Sequence, residues 1–204
     1  MLFDFTKIMC LAVKTCKLCE MYSVIIDRDG VVNRDSDHFI KSADEWVALP
    51  GSLEAIARLS QAQVAVHVAT NQSGIARGLF TLAELDAMHR KFRQQLAVYG
   101  GEVASIHYCP HGPDDDCDCR KPRPGMYQQI AAAFDFSLEG VPVVGDSLRD
   151  LQAAVEVGAQ PILVRTGKGE RTLAAGGLPE NTQVYRDLSA FVDGWLAAGR
   201  GQPP

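Results

Sequence analysis

Short unbroken runs of branched apolar residues recur along the chain, separated by stretches whose apolar positions fall at helical spacing. Val24-Ile25-Ile26 reads as a strand covered on both faces, as in a parallel sheet, Val64–Ala69 and Val141–Val144 as further buried strands, and Val103–Tyr108 and Ile162–Val164 as a third and a fifth strand. Gly51-Ser52 opens a helix with Leu53, Ile56, Ala57 and Leu59 on one side. Thr81-x-x-Glu84 is a capping box, and Leu85, Met88, Phe92, Leu96 and Tyr99 behind it predict a core-facing helix stripe. Pro122 and Pro124 precede a helix from Met126 to Phe134. A short strand around Val184 and an amphipathic helix from Asp187 to Ala198 close the pattern, with Arg34–Trp46 and Gly167–Gly177 left as loops, the second a flexible one. Strand and helix alternate throughout, which predicts a doubly wound parallel α/β sheet of the Rossmann-like kind. Residues 21–204 are expected to form one domain, without internal repeats and without an insertion long enough for a cap domain.

Residues 1–20 break this pattern. They carry Cys10, Cys16 and Cys19, show no periodicity, and end at Met21 directly before the first strand. A lone Cys16-x-x-Cys19 suits a metal or redox pair by spacing but lacks a partner pair. The segment therefore reads as an extension, disordered or upstream of a start at Met21.

Composition narrows the function classes. Of 204 residues, 47% are apolar and 22% charged, ordinary values for a globular protein. A net charge of −5 argues against a nucleic-acid or membrane partner, and no apolar run has the length of a membrane span. The first residues lack the basic start of a secretory signal, so a cytoplasmic location is expected. Six cysteines in such a chain suggest reduced thiols or metal ligands rather than disulfides.

The chemistry collects where strands end. After Val24-Ile25-Ile26 come Asp27-Arg28-Asp29-Gly30, two carboxylates at i and i+2 that an extended chain turns the same way. Their mutual repulsion would be relieved by a hard cation such as Mg²⁺. The second strand runs into Thr70-Asn71-Gln72-Ser73-Gly74, which offers hydroxyl, amide and backbone donors to an oxyanion. Behind the third strand, Cys109-x-His111 and Cys117-x-Cys119 make a set of three thiols and one imidazole, four ligands for a closed, structural Zn²⁺. Arg120 and Lys121 follow at once, so the zinc loop would fix where these cations point. The fourth strand ends at Gly145-Asp146-Ser147-Leu148-Arg149-Asp150. Acids for a metal, with a hydroxyl and an ammonium for phosphate oxygens, describe a phosphoryl-transfer site.

Asp27-x-Asp29-Gly30, Thr70, Lys121 and Gly145-Asp146-x-x-x-Asp150 resemble, in order and spacing, the four motifs of the haloacid dehalogenase superfamily of phosphatases. The likeness spans Met21 to about Thr166. Cys-x-His, a short loop and Cys-x-Cys-Arg-Lys-Pro is similar to the zinc-loop group that holds heptose-bisphosphate and histidinol-phosphate phosphatases, and Thr70–Gly78 is nearer the heptose-bisphosphate pattern. The resemblance implies a Mg²⁺-dependent phosphoric monoester hydrolase acting on a small sugar bisphosphate of the lipopolysaccharide-core pathway through an aspartyl-phosphate. Histidinol phosphate is the alternative substrate, and nucleic-acid 3′-ends a remoter one that the acidic net charge opposes. A monomer with no macromolecular partner is expected. Asp27 would be the nucleophile and Asp29 the acid and base. Mg²⁺ would rest on Asp27, the backbone carbonyl of Asp29, and Asp146. Thr70 and Lys121 would hold the transferring phosphoryl group. Arg120, Asn71, Gln72 and Ser73, with Asp35, Ser36, Asp37 and His38 on the leaving-group side, would contact substrate. One departure stands out: Ser147 occupies a place where that group often has lysine, which would remove a cation from the metal side of the pocket.

Overall fold

The computed structural model describes residues 22–199. The expected extension over residues 1–20, with Cys10, Cys16 and Cys19, lies outside the described residues. Six strands, β1 (Ser23–Ile26), β2 (Ala65–Asn71), β3 (Ser105–Cys109), β4 (Pro142–Gly145), β5 (Gln160–Val164) and β6 (Gln183–Tyr185), form one sheet in the order β3-β2-β1-β4-β5-β6. Every neighbouring pair is parallel. The helices are α1 (Ser52–Gln61), α2 (Leu82–Val98), α3 (Gly125–Phe134), α4 (Leu148–Glu156), α5 (Gly169–Ala175) and α6 (Leu188–Ala197).

Alternation along β1 separates the two faces. Val24 and Ile26 join Val66, Val68 and Val144 in a core closed by Leu53, Ile56 and Leu59 of α1, Leu85, Met88 and Phe92 of α2, and Phe191 of α6. Ile25 faces the other way, toward Met126, Tyr127 and Ile130 of α3 and Ala153 and Ala154 of α4. Each of these large side chains is fully buried, which is worth about 1.5–3 kcal/mol apiece. An apolar run without polar alternation is what a strand with two covered faces requires.

The order of strands makes the crevice. From β1 the chain winds outward through β2 to β3, then returns to β4 on the opposite side of β1. Connections leave in opposite directions from β1 and β4, and the carboxyl ends of these strands open a gap where such sheets bind ligands. Asp27 N donates to Val144 O at 2.8 Å, so β1 and β4 stay paired up to that gap.

Three expectations differ from the structure. Gly167–Gly177 is not one flexible loop, because α5 occupies its middle. A side chain on Gly169 would meet Val164 O at 1.8 Å, so this glycine marks close packing on β5. Thr172 Oγ1 donates to Asp146 O at 2.8 Å and fastens α5 to the crevice. Tyr99 does not extend the core stripe of α2. It sits just past the last turn, 44% exposed, where Gly100 at φ +70° turns the chain away. Third, β2 runs two residues further than expected, so Thr70 and Asn71 are still held by strand pairing to Tyr108 and Cys109.

Candidate active site

A cavity of about 270 Å³ opens at the carboxyl ends of β1, β2 and β4. Asp27, Asp29, Thr70, Lys121 and Asp146 all line it, together with Asp150. At its floor lies Lys121, 2% exposed. Its Nζ is 3.0 Å from Asp27 Oδ1 and 2.6 Å from Asp150 Oδ1, and donates to Ala69 O at 2.7 Å. Asn71 fixes the Lys121 backbone from both sides: Nδ2 donates to Lys121 O at 3.0 Å, and Lys121 N donates to Oδ1 at 3.1 Å. Burial alone would lower the Lys121 pKa, but the charges of Asp150 and Asp27 outweigh it and raise it, so the ammonium is permanent.

Carboxylate oxygens of Asp27, Asp146 and Asp150 lie within 4.8 Å of one another. Burial raises Asp27 to about 6 despite Lys121, and burial with the charges of Asp27 and Asp150 raises Asp146 to about 8. Asp150 goes the other way: Lys121 and hydrogen bonds from Ser147 overcome its burial and hold it below the usual carboxylate range. One ammonium is therefore too little charge for three acids. The oxygen-only donor set and the charge deficit fit a hard divalent cation such as Mg²⁺. Asp146 reaches this place between two glycines. A Cβ on Gly30 (φ +85°) or on Gly167 (φ +57°) would stand 1.9 or 2.1 Å from Asp146 Oδ2. The same oxygen accepts from Lys168 N at 2.7 Å.

The Asp29 side chain belongs to a different network. It accepts from Arg28, from Asn33 Nδ2 at 2.8 Å and from Gln72 Nε2 at 2.8 Å. Burial pushes its pKa up, but the Arg28 charge and these hydrogen bonds prevail and hold it below the ordinary value. Gln72 Nε2 also donates to Thr70 Oγ1 at 2.8 Å, tying the two sides of the floor together. Thr70, Gln72 and Ser73 are all buried.

Around the mouth, Asp35, Ser36 and Asp37 line the cavity as expected of that loop. His38 does not; it is exposed, and Phe39 and Ile40 take that part of the wall. The loop is tied across the mouth by Asp35 to Lys168 Nζ at 2.6 Å and by Asp37 to Arg171 at 3.2 Å. Arg77, Arg120 and Arg149 also line the cavity, and none of them is ion-paired among the described residues. Burial and the neighbouring Arg149 guanidinium lower the Arg120 pKa. Two cations that sequence reasoning did not single out, Arg149 and Lys168, also line the cavity beside Ser147. Ser147 starts α4, its N–H and hydroxyl both donating to Asp150 Oδ2, at 3.0 and 2.6 Å.

The four thiol-loop ligands come together as a second cluster. Cys109 Sγ is 3.5 Å from His111 Nδ1 and 3.8 Å from Cys117 Sγ, while His111 Nδ1 is 3.3 Å from Cys119 Sγ. A tetrahedral zinc with Zn–S of about 2.3 Å spaces its sulfurs about 3.8 Å apart, whereas a disulfide needs about 2 Å. The spacing therefore fits a closed metal set and no disulfide. Burial pushes the Cys109 thiol up to about 12, a cost that a bound cation removes. Arg120 Nη1 donates to His111 O at 3.2 Å, so the loop and the cavity wall share this residue.

Two family models match the chain, one described as HAD-hydrolase-like over residues 118–191 and one as polynucleotide kinase 3 phosphatase over residues 24–148. Among curated proteins, the D-glycero-β-D-manno-heptose-1,7-bisphosphate 7-phosphatase of Bordetella bronchiseptica is 62% identical over 173 residues, 85% of this chain and 97% of that one. Its counterpart in Pseudomonas putida is 60% identical over 84% of this chain and 98% of the relative. The crystal structure of the B. bronchiseptica D,D-heptose 1,7-bisphosphate phosphatase, complexed with magnesium and phosphate, superposes with a TM-score of 0.86 at 61% identity, covering 87% of this chain and 99% of that one. Among the described residues, no helix is long and apolar enough to cross a membrane. With this identity carried over nearly the whole length of its relatives, the chain belongs to the D-glycero-β-D-manno-heptose-1,7-bisphosphate 7-phosphatase family of haloacid dehalogenase-like hydrolases.

Proposed function

We propose that this chain removes the 7-phosphate of D-glycero-β-D-manno-heptose 1,7-bisphosphate, with Asp27 as nucleophile. The carrying observation is the placement of Asp27 at the cavity floor, 3.0 Å from the Lys121 ammonium and clustered with Asp146 and Asp150. Identity to relatives of that name supports the substrate.

The steps follow from the groups in place. Lys121 and Thr70 hold the phosphoryl oxygens, and Lys121 offsets the charge that would repel phosphate from Asp27. Asp29, ionised in the free site, takes up a proton from solvent as the anionic phosphate enters beside it, and passes it to the leaving C7 oxygen while Asp27 attacks phosphorus and forms an acyl phosphate. Asp29, now a carboxylate, takes a proton from the water that hydrolyses the intermediate and frees Asp27. Asp27 and Asp146, with the backbone carbonyl of Asp29, would hold Mg²⁺, which supplies charge neutralisation between nucleophile and phosphate. Cys109, His111, Cys117 and Cys119 would hold Zn²⁺ as a structural ion that sets the backbone ahead of Arg120 and Lys121. Arg120, joined by Arg77 and Arg149, offers unpaired guanidinium groups to the phosphate that stays on C1. Asp35, Ser36 and Asp37 face the sugar hydroxyls.

Phosphate release from purified protein, measured on heptose 1,7-bisphosphate, heptose 7-phosphate and histidinol phosphate, tests the assignment. The bisphosphate should be turned over at least about tenfold more efficiently than either monoester, a difference of about 1.4 kcal/mol. Equal rates would remove the case for a bisphosphate enzyme, and a preference for histidinol phosphate would replace the substrate.

A further inference from the structure

Behind Asp29 lies a buried guanidinium that the reaction steps above do not use. Arg28 is 0% exposed and among the largest fully buried side chains. Its Nε and Nη2 donate to Asp29 Oδ1 at 3.2 and 2.9 Å, and Nη2 also reaches Oδ2 at 2.9 Å. The remaining end, Nη1, is 3.4 Å from His89 Nε2 on α2. Burial, then the Arg28 charge, holds His89 down to about 3, so the ring is neutral and can accept from Arg28 through Nε2. With Asn33 Nδ2 on Oδ1 and Gln72 Nε2 on Oδ2, the Asp29 carboxyl receives five hydrogen bonds.

A buried ion pair is a weak source of stability, since an apolar pair of similar volume commonly serves as well. What the fork of a guanidinium supplies is orientation: two donors in one plane fix the plane of the carboxyl they meet. The direction of that plane is also legible. Oδ1 takes three of the five bonds and Oδ2 two, and the Gln72 amide on Oδ2 also binds Thr70 Oγ1. Oδ2 is therefore the less occupied oxygen and lies on the Thr70 side of the cavity, where phosphoryl oxygens are held.

We propose that Arg28 is the positioning residue for Asp29: its fork, anchored by His89, turns Oδ2 toward the leaving oxygen of the substrate. The inference rests on the acid and base role of Asp29 given above. In the first step the proton that Asp29 takes up as the anionic substrate binds passes to the leaving oxygen as that oxygen's bond to phosphorus breaks. In the second, the Asp29 carboxylate takes a proton from water as that oxygen bonds phosphorus and the Asp27–phosphorus bond breaks. A misplaced carboxyl should damage the first step only where the leaving group needs a proton. An aliphatic alkoxide does; nitrophenolate does not.

Leaving-group dependence tests this directly. Arg28→Lys keeps the charge and loses the fork, and His89→Leu removes the anchor without touching Asp29. The protein, loaded with Mg²⁺ and Zn²⁺, is assayed for steady-state turnover of heptose 1,7-bisphosphate and for the first-turnover burst of nitrophenol from p-nitrophenyl phosphate. Arg28→Lys should lower kcat for the sugar phosphate on the order of 100-fold with KM little changed, and His89→Leu several-fold. The nitrophenol burst should stay within about threefold for both variants. Equal losses on both substrates would make Arg28 structural and overturn the proposal, as would full activity of folded Arg28→Lys. If Arg28→Lys does not fold, His89→Leu decides by the same ratio. Asp29→Asn, run alongside, separates the failures. If it too spares the sugar phosphate, the acid and base reading of Asp29 is wrong. If it shows the leaving-group pattern while the Arg28 and His89 variants do not, only the positioning role is wrong.

Discussion

Asp27 and Asp146 come from two strand ends far apart in sequence and Asp150 from the first turn of α4, whereas Cys109, His111, Cys117 and Cys119 lie within one short stretch that starts at the end of β3. The carboxylates sit on a sheet whose core is closed on both faces, and Lys121 already bridges two of them. Their places are held by strand pairing, by the glycine pinch on Asp146 and by Asn71 on Lys121. The thiol loop has little of this. Outside β3 it contains no regular structure, and its ligand residues other than Cys109 are only partly buried. One donor set is built by the fold, and the other builds part of the fold. A cation at the first should therefore govern chemistry with little effect on structure, while a cation at the second should govern structure and reach chemistry through Arg120 and Lys121.

The sharpest break between the two regions should come from Asp27→Asn. The amide keeps the shape and loses the nucleophile, so turnover should fall by about 10⁴-fold or more while thermal unfolding stays close to wild type. Retained phosphate release would remove the covalent step. Cys117→Ser should do the opposite in kind. Losing one thiolate opens the closed set, so zinc content by elemental analysis should drop from about one per chain. Stability and activity should then decline together, by several kcal/mol and roughly 10–100-fold. A variant that loses zinc yet keeps its melting temperature would dissolve the distinction.

Acid sensitivity offers a third, smaller contrast, located in neither donor set. His67 on β2 is buried against Phe134 and Phe136, and burial followed by the charge of His107 lowers it to about 4. The unfolded chain therefore binds more protons than the folded one between about pH 4 and 6.5. Stability from this group is complete above pH 6.5 and is lost as pH falls through that window, by at most about 3 kcal/mol. His67→Phe should flatten denaturant midpoints over that range with Mg²⁺ and Zn²⁺ content unchanged; an unaltered slope would place the acid sensitivity elsewhere. Smallest of all, Arg120→Ala should cut the preference for the bisphosphate over the 7-monophosphate by about 1–3 kcal/mol. Unchanged selectivity would move recognition of the remaining phosphate to Arg77 and Arg149.

The same division explains what could be read from the sequence. The apolar runs of β1 and β4 and the acids that end them are local signals, because a strand buried on both faces takes few polar residues before it leaves the core, His67 of β2 being an exception. The Cys109–Cys119 spacing is local too. Lys168 and Arg149 carried no such signal. Lys168 enters the crevice because α5 packs back on β5 and its ammonium meets Asp35, a pairing made only by the tertiary fold. The glycines that bracket α5 suggested flexibility, and in the structure they permit close packing and a helix end. Asn71 and Gln72 are expected to contact substrate, and both line the cavity. Their amides are used to hold Lys121, Asp29 and Thr70, which a strand-end motif alone does not distinguish from direct contact.

The claim that the carboxylate crevice performs covalent phosphoryl transfer is tested most directly by rapid acid quench during turnover of heptose 1,7-bisphosphate, followed by peptide mass spectrometry. Attack by Asp27 should leave a phosphoryl adduct on the peptide that contains Asp27, formed in the wild type and absent from Asp27→Asn. An adduct on another residue, or full turnover with none on Asp27 under quench conditions that preserve acyl phosphates, would contradict it.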